Sequence, residues 1–586
     1  MTDATFDKLK SNFPDAVQSS QTFRDETTIT VAADRLLEIT RFLRDDPDLQ
    51  YNLLMDVYGV DRKDQEKPAS SRFAVQYELF SIPKNKNIRL NVPVPDAPKG
   101  NGALPKISSV TSVWPTANWL ERETYDLMGI EFTQHPWLHR IMMPQYWEGH
   151  PLRKDTPLGG EAVNFSQHKG DSRFEDLGKQ ILTPPQVHSE VEGTVDFEKH
   201  MLINMGPQHP ATHGVLRLAV EVDGERMVSV KPELGFLHSG FEKIGENRRY
   251  EKFIPYCDRM DYLAPMSNNL GYVMTVEKLM GVDVPQHAQY ARVILTELQR
   301  IASHMVWLGT HAMDVSGTIH ALLMYAFNWR EKILDIFEMV CGARMTTSYF
   351  NVGGLRWPLP GAFEDAVRHF LKTFPDGVKD FEDMLTHNPV WIKRLKDVGY
   401  LSKEDAIALG VTGPLLRGSG VELDLRKARP YSSYDQFDFD IPVSDTGDSY
   451  GRYLIRMEEL RQSMRIVEQA LSKLGTGPHK TDDRKVALPP REEISTSMEA
   501  LIHHFKLVTE GFKPPKGQVY GMIENPKGIL AFGIISDGSA VPYRLRVRGP
   551  SFVNLQATDI MSRGSLLSDI VTIIGTIDIV LGEVDR

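Results

Sequence analysis

Two histidines four residues apart, set among prolines and glycines, are the first chemistry-bearing feature of the chain. In Gly206-Pro-Gln-His-Pro-Ala-Thr-His213-Gly214, His209 and His213 have a spacing that would suggest a metal pair on a helix. Pro207, Pro210 and Gly214 oppose a helix there, because proline lacks the N–H and clashes with the preceding turn. The expected structure is a loop at the start of a hairpin. The histidines are then either structural groups bonded to backbone or imidazoles presented from a stiff turn. A second stretch, Tyr256-Cys-Asp-Arg-Met-Asp-Tyr262, suits a salt-bridged helix start and equally a phenol aimed into a pocket. In a third, His304-Met-Val-Trp-Leu-Gly-Thr-His311-Ala-Met-Asp314, the two histidines fall on roughly one helix face. Asp314 near the helix C-terminus opposes the macrodipole, a hint of a polar partner elsewhere. Last, Arg544, Arg546 and Arg548 alternate on one strand face. A solvated basic face is the plainer expectation and a contact with another protein the sharper one.

Elements to position these residues follow from periodicity. Leu36, Ile39 and Leu43 give Arg35 to Arg44 a helical stripe, while Phe73 to Phe80 and Ile88 to Val94 have strand character. A helix is expected from Asn118 to Gly129, with Asn118 as cap, Glu121 completing a capping box and Gly129 ending it. Residues 158–196 lose all period and hold scattered Gly, Pro and charge, as a linker does. Beyond it, strands are expected at Met201 to Met205, Val215 to Val222 and, after an Asp223-Gly224 turn, Met227 to Val230. A mainly helical block follows from about 235 to 410. Its clearest helix, Gln286 to Thr310, repeats Ile294, Leu298, Ile301, Met305 and Leu308 as a buried stripe. Another long helix spans Tyr450 to Leu474. Strands return at Gln518 to Ile523 and Ile529 to Ile535 around Asn525-Pro-Lys-Gly528, and then at Val541 to Arg548.

The 586 residues are too many for one ordinary core, and a net charge of −11 argues against a nucleic-acid binder. The two cysteines, Cys257 and Cys341, exclude a disulfide framework or a four-cysteine metal site within the chain. No dinucleotide fingerprint, P-loop, H-E-x-x-H or G-x-S-x-G occurs. No signal peptide is visible at the N-terminus, and no apolar run reaches the roughly 18–20 residues of a membrane span. The most apolar tail segment, Ile570 to Leu581, is short and carries Asp578.

Several motifs in order resemble the D subunit of bacterial respiratory complex I: the segment from Gly206 to Arg217, Gly235-Phe-Leu-His-Ser-Gly-Phe-Glu-Lys243, Asp258-Arg-Met-Asp-Tyr262, Arg426-Lys-Ala-Arg-Pro-Tyr431, Gly549-Pro-Ser-Phe552 and Val584-Asp-Arg586. The N-terminal part resembles the C subunit through Asn118 to Ile130 and Arg140 to Lys154. The resemblance implies a fused C/D subunit of NADH–quinone oxidoreductase, of α+β class. Its parts would be a small α/β domain over 1–157, a linker over 158–196, and a domain over 197–586 with a helical core and peripheral β-sheets. That last domain is similar to the large subunit of nickel–iron hydrogenases. Hydrogenases hold their metal with two C-x-x-C pairs, one of them just before the C-terminus. Here Val580 and Glu583 have the cysteine-like spacing and no soft ligand remains.

What the resemblance implies about function is specific. The vacated cavity would take a quinone headgroup, with His213 and Tyr262 as proton-bearing ligands and Asp314 pairing with His213. Arg259, His304 and His238 would lie near the interface with the B subunit, which holds the terminal iron–sulfur cluster. This chain alone would bind no cofactor; FMN and the iron–sulfur clusters would belong to partner subunits. Those partners would include the B, I and G subunits and the membrane-embedded H and A subunits, placing the chain peripherally on the cytoplasmic face of the bacterial inner membrane. Many relatives carry a histidine after Gly-x-Arg-x, whereas here Gly342-Ala-Arg-Met345 is followed by Thr346, Thr347 and Ser348. A titrating group is missing there, and ubiquinone and menaquinone both stay open. A hydrogenase-type complex and a purely structural scaffold are the rival readings.

Overall fold

Phe73–Ser81 and Lys86–Val94 are rich in β-branched and aromatic residues and flank a short turn with Asn85 at positive φ, so they close as a hairpin from Ser81↔Lys86 to Phe73↔Val94. The chain is described here from a computed structural model, over residues 4–63, 71–97, 103–159, 200–207, 214–316 and 320–586. The expected linker lies almost wholly outside the described residues, as do His209 and His213.

The hairpin's strands are β4 and β5 of a five-stranded sheet in the order β1-β2-β5-β4-β3. The others are β1 (Val17–Phe23), β2 (Glu26–Val31) and β3 (Leu53–Asp61), and only the β2–β5 pair is parallel. Helix α1 (Leu36–Asp45) buries Leu36, Ile39 and Leu43 completely, as its period requires. Helix α2 (Ala117–Met128) lies on β3, where Gly59 permits the approach: a Cβ there would meet Met128 Cγ at 2.9 Å. The expected cap of α2 is corrected. Thr116 is the N-cap, without a side-chain bond, and Asn118 lies inside the first turn. Glu121 does not turn back to cap. It is fully buried, accepts the Val110 N–H at 2.8 Å, and burial pushes its carboxyl up to about 8. Gly129, at φ 69°, ends the helix as expected.

The second unit opens with a three-stranded sheet of β6 (Met201–Met205), β7 (Arg217–Asp223) and β8 (Arg226–Glu233), in the order β8-β7-β6. Its helical core follows: α3 (Pro265–Met280), α4 (Gln286–Val315), α5 (Ala321–Cys341), α6 (Phe363–Leu385) and α7 (Ser449–Lys473). The stripe Ile294, Leu298, Ile301, Met305 and Leu308 is buried along α4, which runs on to Val315 and so includes Asp314. After α8 (Met498–Thr509) comes an antiparallel meander of β9 (Gly517–Asn525), β10 (Gly528–Ser536) and β11 (Arg544–Arg548), with Asn525 opposite Gly528 as expected. The class is α+β. No helix of the described residues is long and apolar enough to cross a membrane.

The arginine strand overturns its plainer expectation. Arg544, Arg546 and Arg548 are at most 2% exposed and join the two units. Arg546 forks Asp56 of β3 (2.7 and 2.9 Å) and Glu123 of α2 (2.8 and 2.9 Å). Arg544 reaches the Gly59 carbonyl at 3.1 Å and Arg548 the Met55 carbonyl at 3.2 Å. This explains why β3, an edge strand, buries all nine residues: its outer side is covered by β11 and its surroundings. The planar, permanently charged guanidinium is the one side chain able to satisfy two carboxylates at once in such a place.

Removing Arg546 leaves Asp56 and Glu123 buried without their shared partner. Arg546→Ala is expected to cost about 3–5 kcal/mol in denaturant unfolding. Arg35→Ala, which removes an exposed pair with Glu38, is expected to stay within about 0.5 kcal/mol. Similar small losses in both variants would contradict this account of the interface.

Candidate functional site

The loop after Cys257 turns the Asp258-Arg-Met-Asp-Tyr262 motif back onto the core. Asp258 is the anchor: its carboxylate accepts from Asn269 Nδ2 at 2.7 Å and from the Ser348 N–H at 3.0 Å and its hydroxyl. Burial pushes Asp258 up to about 6. The same bonds carry the segment after Gly342-Ala-Arg-Met345 to the motif. Arg259, Arg344 and Thr346 are exposed on this side of the molecule, and Arg259 donates to the Pro255 carbonyl at 2.6 Å.

Two residues on, Asp261 and Lys527 form an ion pair at 3.0 Å, both fully buried. Lys527 stands in the β9–β10 turn and also donates to Ser303 Oγ of α4 at 3.0 Å. Burial would lower its ammonium, yet Asp261, then Asp578 and Glu583, hold it above the usual lysine range. Tyr262 sits half-buried beside this pair. Burial, then Asp261, push its phenol up, with Lys527 opposing. A phenol so placed stays protonated at neutral pH and remains a donor.

His304, next to Ser303 on α4, faces the opposite part of the cluster. Its Nε2 lies 2.7 Å from Glu459 Oε2 of α7, while Glu459 Oε1 accepts from Arg417 at 2.6 Å. Burial raises Glu459, but Arg417 and His304 outweigh it, so the carboxylate is ionised. Burial holds His304 down to about 4, so the imidazole is neutral and Nε2 carries the proton. Arg417 continues to Glu524 at 2.8 Å, and Glu297, Arg426 and Asp424 extend the network. His311, one turn before Asp314, is different: neither ring nitrogen has a partner among the described residues. It stacks on Trp307, and burial lowers it to about 3.

The C-terminal tail closes the cluster. Gly582 lets it pack against the motif loop, since a Cβ there would lie 2.5 Å from the Met260 carbonyl oxygen. Glu583 accepts the Ser551 N–H at 2.6 Å and burial lifts it to about 7; burial lifts Asp578 to about 6. Asp585 accepts from the Gly235 and Leu237 N–H groups at 3.0 and 2.7 Å, and His238 Nδ1 donates to its carbonyl at 2.6 Å. Arg586 reaches Glu123 of the first unit at 2.6 Å.

Of the residues expected from sequence, Tyr262 and His304 come onto one buried charged cluster. His238 is tied to the tail that borders it, and Arg259 is on the surface nearby. Asp314 occupies the last turn of α4, half-buried, and His213 lies outside the described residues. Sequence reasoning missed Asp261, Lys527 and Glu459. Lys527 stands in a two-residue turn, where a lysine is ordinarily solvated, and nothing local marks it as buried. Among the described residues, no group of three or more His, Cys, Asp or Glu is placed to hold a metal ion.

Comparison with known proteins gives two family matches in one chain. Residues 317–586 match the family described as respiratory-chain NADH dehydrogenase, 49 Kd subunit, and residues 29–162 the 30 Kd subunit. The NADH-quinone oxidoreductase D 2 subunit of Roseiflexus sp. (strain RS-1) is 57% identical over 389 residues, covering 66% of this chain and 93% of that protein. The corresponding D subunit of Geotalea uraniireducens (strain Rf4) is 53% identical over 386 residues, covering 66% and 98%. The D 2 subunit of Koribacter versatilis (strain Ellin345) is 52% identical over 389 residues, covering 66% and 96%.

The raised Glu583 gives a signed pH dependence. Its folded value, about 7, exceeds the unfolded value of about 4.5, so the neutral acid favours the folded state. That stability is present in full below pH about 4.5 and is lost as pH rises towards 7. Glu583→Gln keeps a neutral side chain throughout. Across pH 4.5–7 the variant should gain on the wild type by roughly 2–4 kcal/mol in paired unfolding curves; parallel curves would refute the buried neutral acid.

Proposed function

As this chain belongs to the NADH–quinone oxidoreductase (complex I) family, with a C-type unit fused ahead of a D-type unit, we propose that its second unit forms the quinone headgroup site beside the partner's terminal iron–sulfur cluster. The chain is a peripheral-arm subunit of a multi-subunit oxidoreductase. The observation that carries the proposal is the position of Tyr262, half-buried, kept protonated, and flanked by a buried charged cluster.

The chemistry follows from the reaction. Reducing a quinone to a quinol takes two electrons and two protons, and both carbonyl oxygens become strongly basic as electrons arrive. Tyr262 donates a proton to one oxygen and His213 to the other, and Asp314 holds the imidazole tautomer that makes this possible. Loss of the proton from His213 removes the charged partner of Asp314, the local event that would couple reduction to proton translocation. The Asp261–Lys527 pair fixes the backbone from which Tyr262 projects. Electrons enter from the B subunit, docked on the surface that carries Arg259, Arg344 and Thr346. The I and G subunits and the membrane-embedded H and A subunits complete the proposed surroundings, on the cytoplasmic face of the inner membrane, with FMN and the clusters held by partners. The exposed apolar stripe of α8, where Met498, Leu501, Ile502, Phe505 and Val508 are 47–78% exposed, suits a chain that is covered by others in its assembly.

In the assembled complex, Tyr262→Phe and His213→Ala should each lower NADH:quinone activity by at least about 10²-fold while NADH oxidation by an artificial acceptor persists. Loss of both activities together would mean misassembly, and full quinone activity would sink the proposal. A second outcome concerns Thr346, which cannot titrate. The midpoint potential of the partner's terminal cluster should change little between pH 6 and 8, and Thr346→His should introduce a slope approaching ~59 mV per pH unit. A steep slope already present in the wild type would contradict the placement of this surface at the cluster.

A further inference from the structure

A cavity of about 210 Å³ opens between the sheets of the two units, away from the Tyr262 cluster. Strands β1, β2, β4 and β5 and the end of β3 form one wall, and β9 and β10 form the other. Its lining is rich in hydrogen-bonding groups: Thr30, Gln76, Asn91, Gln518 and Ser536 face it together with Arg62. Arg62 is the single charged residue among the lining side chains.

The charges around Arg62 are already committed. Asp61 binds Arg72 at 2.7 Å, and Glu26 and Glu78 bind Arg89 at 2.7 and 2.5 Å. Arg62 itself donates through Nη2 to Asn91 Oδ1 at 2.7 Å, a neutral amide, and has no ion pair among the described residues. Burial accordingly pulls its guanidinium below the usual arginine range, with Tyr543 opposing. A half-buried cation that lacks a carboxylate is an incomplete arrangement, because partly desolvated charge is compensated by a counter-ion wherever one fits. The remaining amide network is self-consistent. Gln518 Nε2 donates to Gln76 Oε1 at 2.7 Å and to Tyr58 Oη at 3.0 Å, and Asn91 Nδ2 donates to Thr30 Oγ1 at 3.1 Å. Among the described residues these bonds leave the guanidinium fork of Arg62 as the unmatched donor.

We propose that this cavity binds a small oxyanion of inorganic phosphate size, held by Arg62 and the hydroxyl and amide groups of both units. A guanidinium presents parallel N–H donors suited to phosphate or carboxylate, and a volume of this size admits one such ion with waters. Since each unit supplies a wall, the bound anion braces the first unit against the second. It stabilises the joined state by an amount that rises with the logarithm of anion concentration above Kd.

The test uses the full-length chain with inorganic phosphate, acetate and chloride at matched ionic strength. Phosphate at saturating concentration should raise the unfolding midpoint by about 2–4 °C over chloride, with one site by titration calorimetry. Acetate producing the same shift at equal concentration would assign the site to carboxylates and overturn the phosphate assignment. Arg62→Gln should weaken phosphate binding by at least about tenfold, and Arg62→Lys should restore part of it. Gln518→Glu, on the opposite wall, puts a negative charge into the cavity and should abolish the shift in a folded chain. It keeps the proposal testable if Arg62→Gln does not fold. No phosphate shift in the wild type, or undiminished binding in a folded Arg62→Gln or Gln518→Glu chain, overturns it.

Discussion

Guanidinium groups clamped between carboxylates that come from distant parts of the chain are the constraint on which this structure depends. Arg546 holds Asp56 and Glu123 across the two units, and Arg417 holds Glu459 and Glu524 inside the second. Neither arrangement is a cheap source of stability, since desolvating such charges costs about as much as their attraction returns. What they supply is definition. Each arginine has one geometry in which both acids are satisfied, and misplacing a strand or helix by an ångström strands several charges in a low-dielectric interior. The core can therefore hold a large set of buried charges in one arrangement.

That cluster is closed off by the tail. Residues 578–586 touch almost every part of the candidate site: the motif loop through Gly582, the β9–β10 hairpin through Glu583, the Gly235–His238 loop through Asp585, and the first unit through Arg586. Within that tail Val580 and Glu583 are fully enclosed. A carboxyl lifted into the neutral range by burial can still exchange protons there, which a structural apolar side chain could not. Lys527 lies close enough to feel Asp261, Asp578 and Glu583 together, so proton movement at any one of them alters the electrostatic balance beside Tyr262.

Much of this is readable from residue order alone. The α4 stripe, the hairpin around Asn525 and Gly528, the Gly129 terminus and the family motifs all rest on local patterns, and local patterns survive folding intact. Strand β3 escapes because it is covered on both faces and shows no alternation. The arginines of β11 mislead for a related reason. Alternation says that three side chains share a face, but not what will be laid over it, and here the cover comes from a segment almost five hundred residues earlier (546 − 56 = 490). The Asp261–Lys527 pair joins segments that carry no mutual signal in sequence. His213 and Asp314 are named from motif likeness, and their meeting rests on that likeness alone.

Joining the two units in one polypeptide bears on how polar their interface can be. Two separate chains must recover the loss of translational and rotational freedom from contacts alone, and burying charged groups competes directly with that recovery. In a single chain the second association is intramolecular, at an effective concentration set by the connecting segment, so affinity need not be won at the interface. The contact can then be selected for register instead. An interface made of forked arginines, an arginine at the very terminus and a donor-rich cavity is what that freedom allows: it adds modest net stability while fixing the first unit at one angle on the scaffold that carries Tyr262. Rigid placement of that kind matters most where one unit's surface must keep a fixed register against the other's, as the clamp of Arg546 on Asp56 and Glu123 requires here.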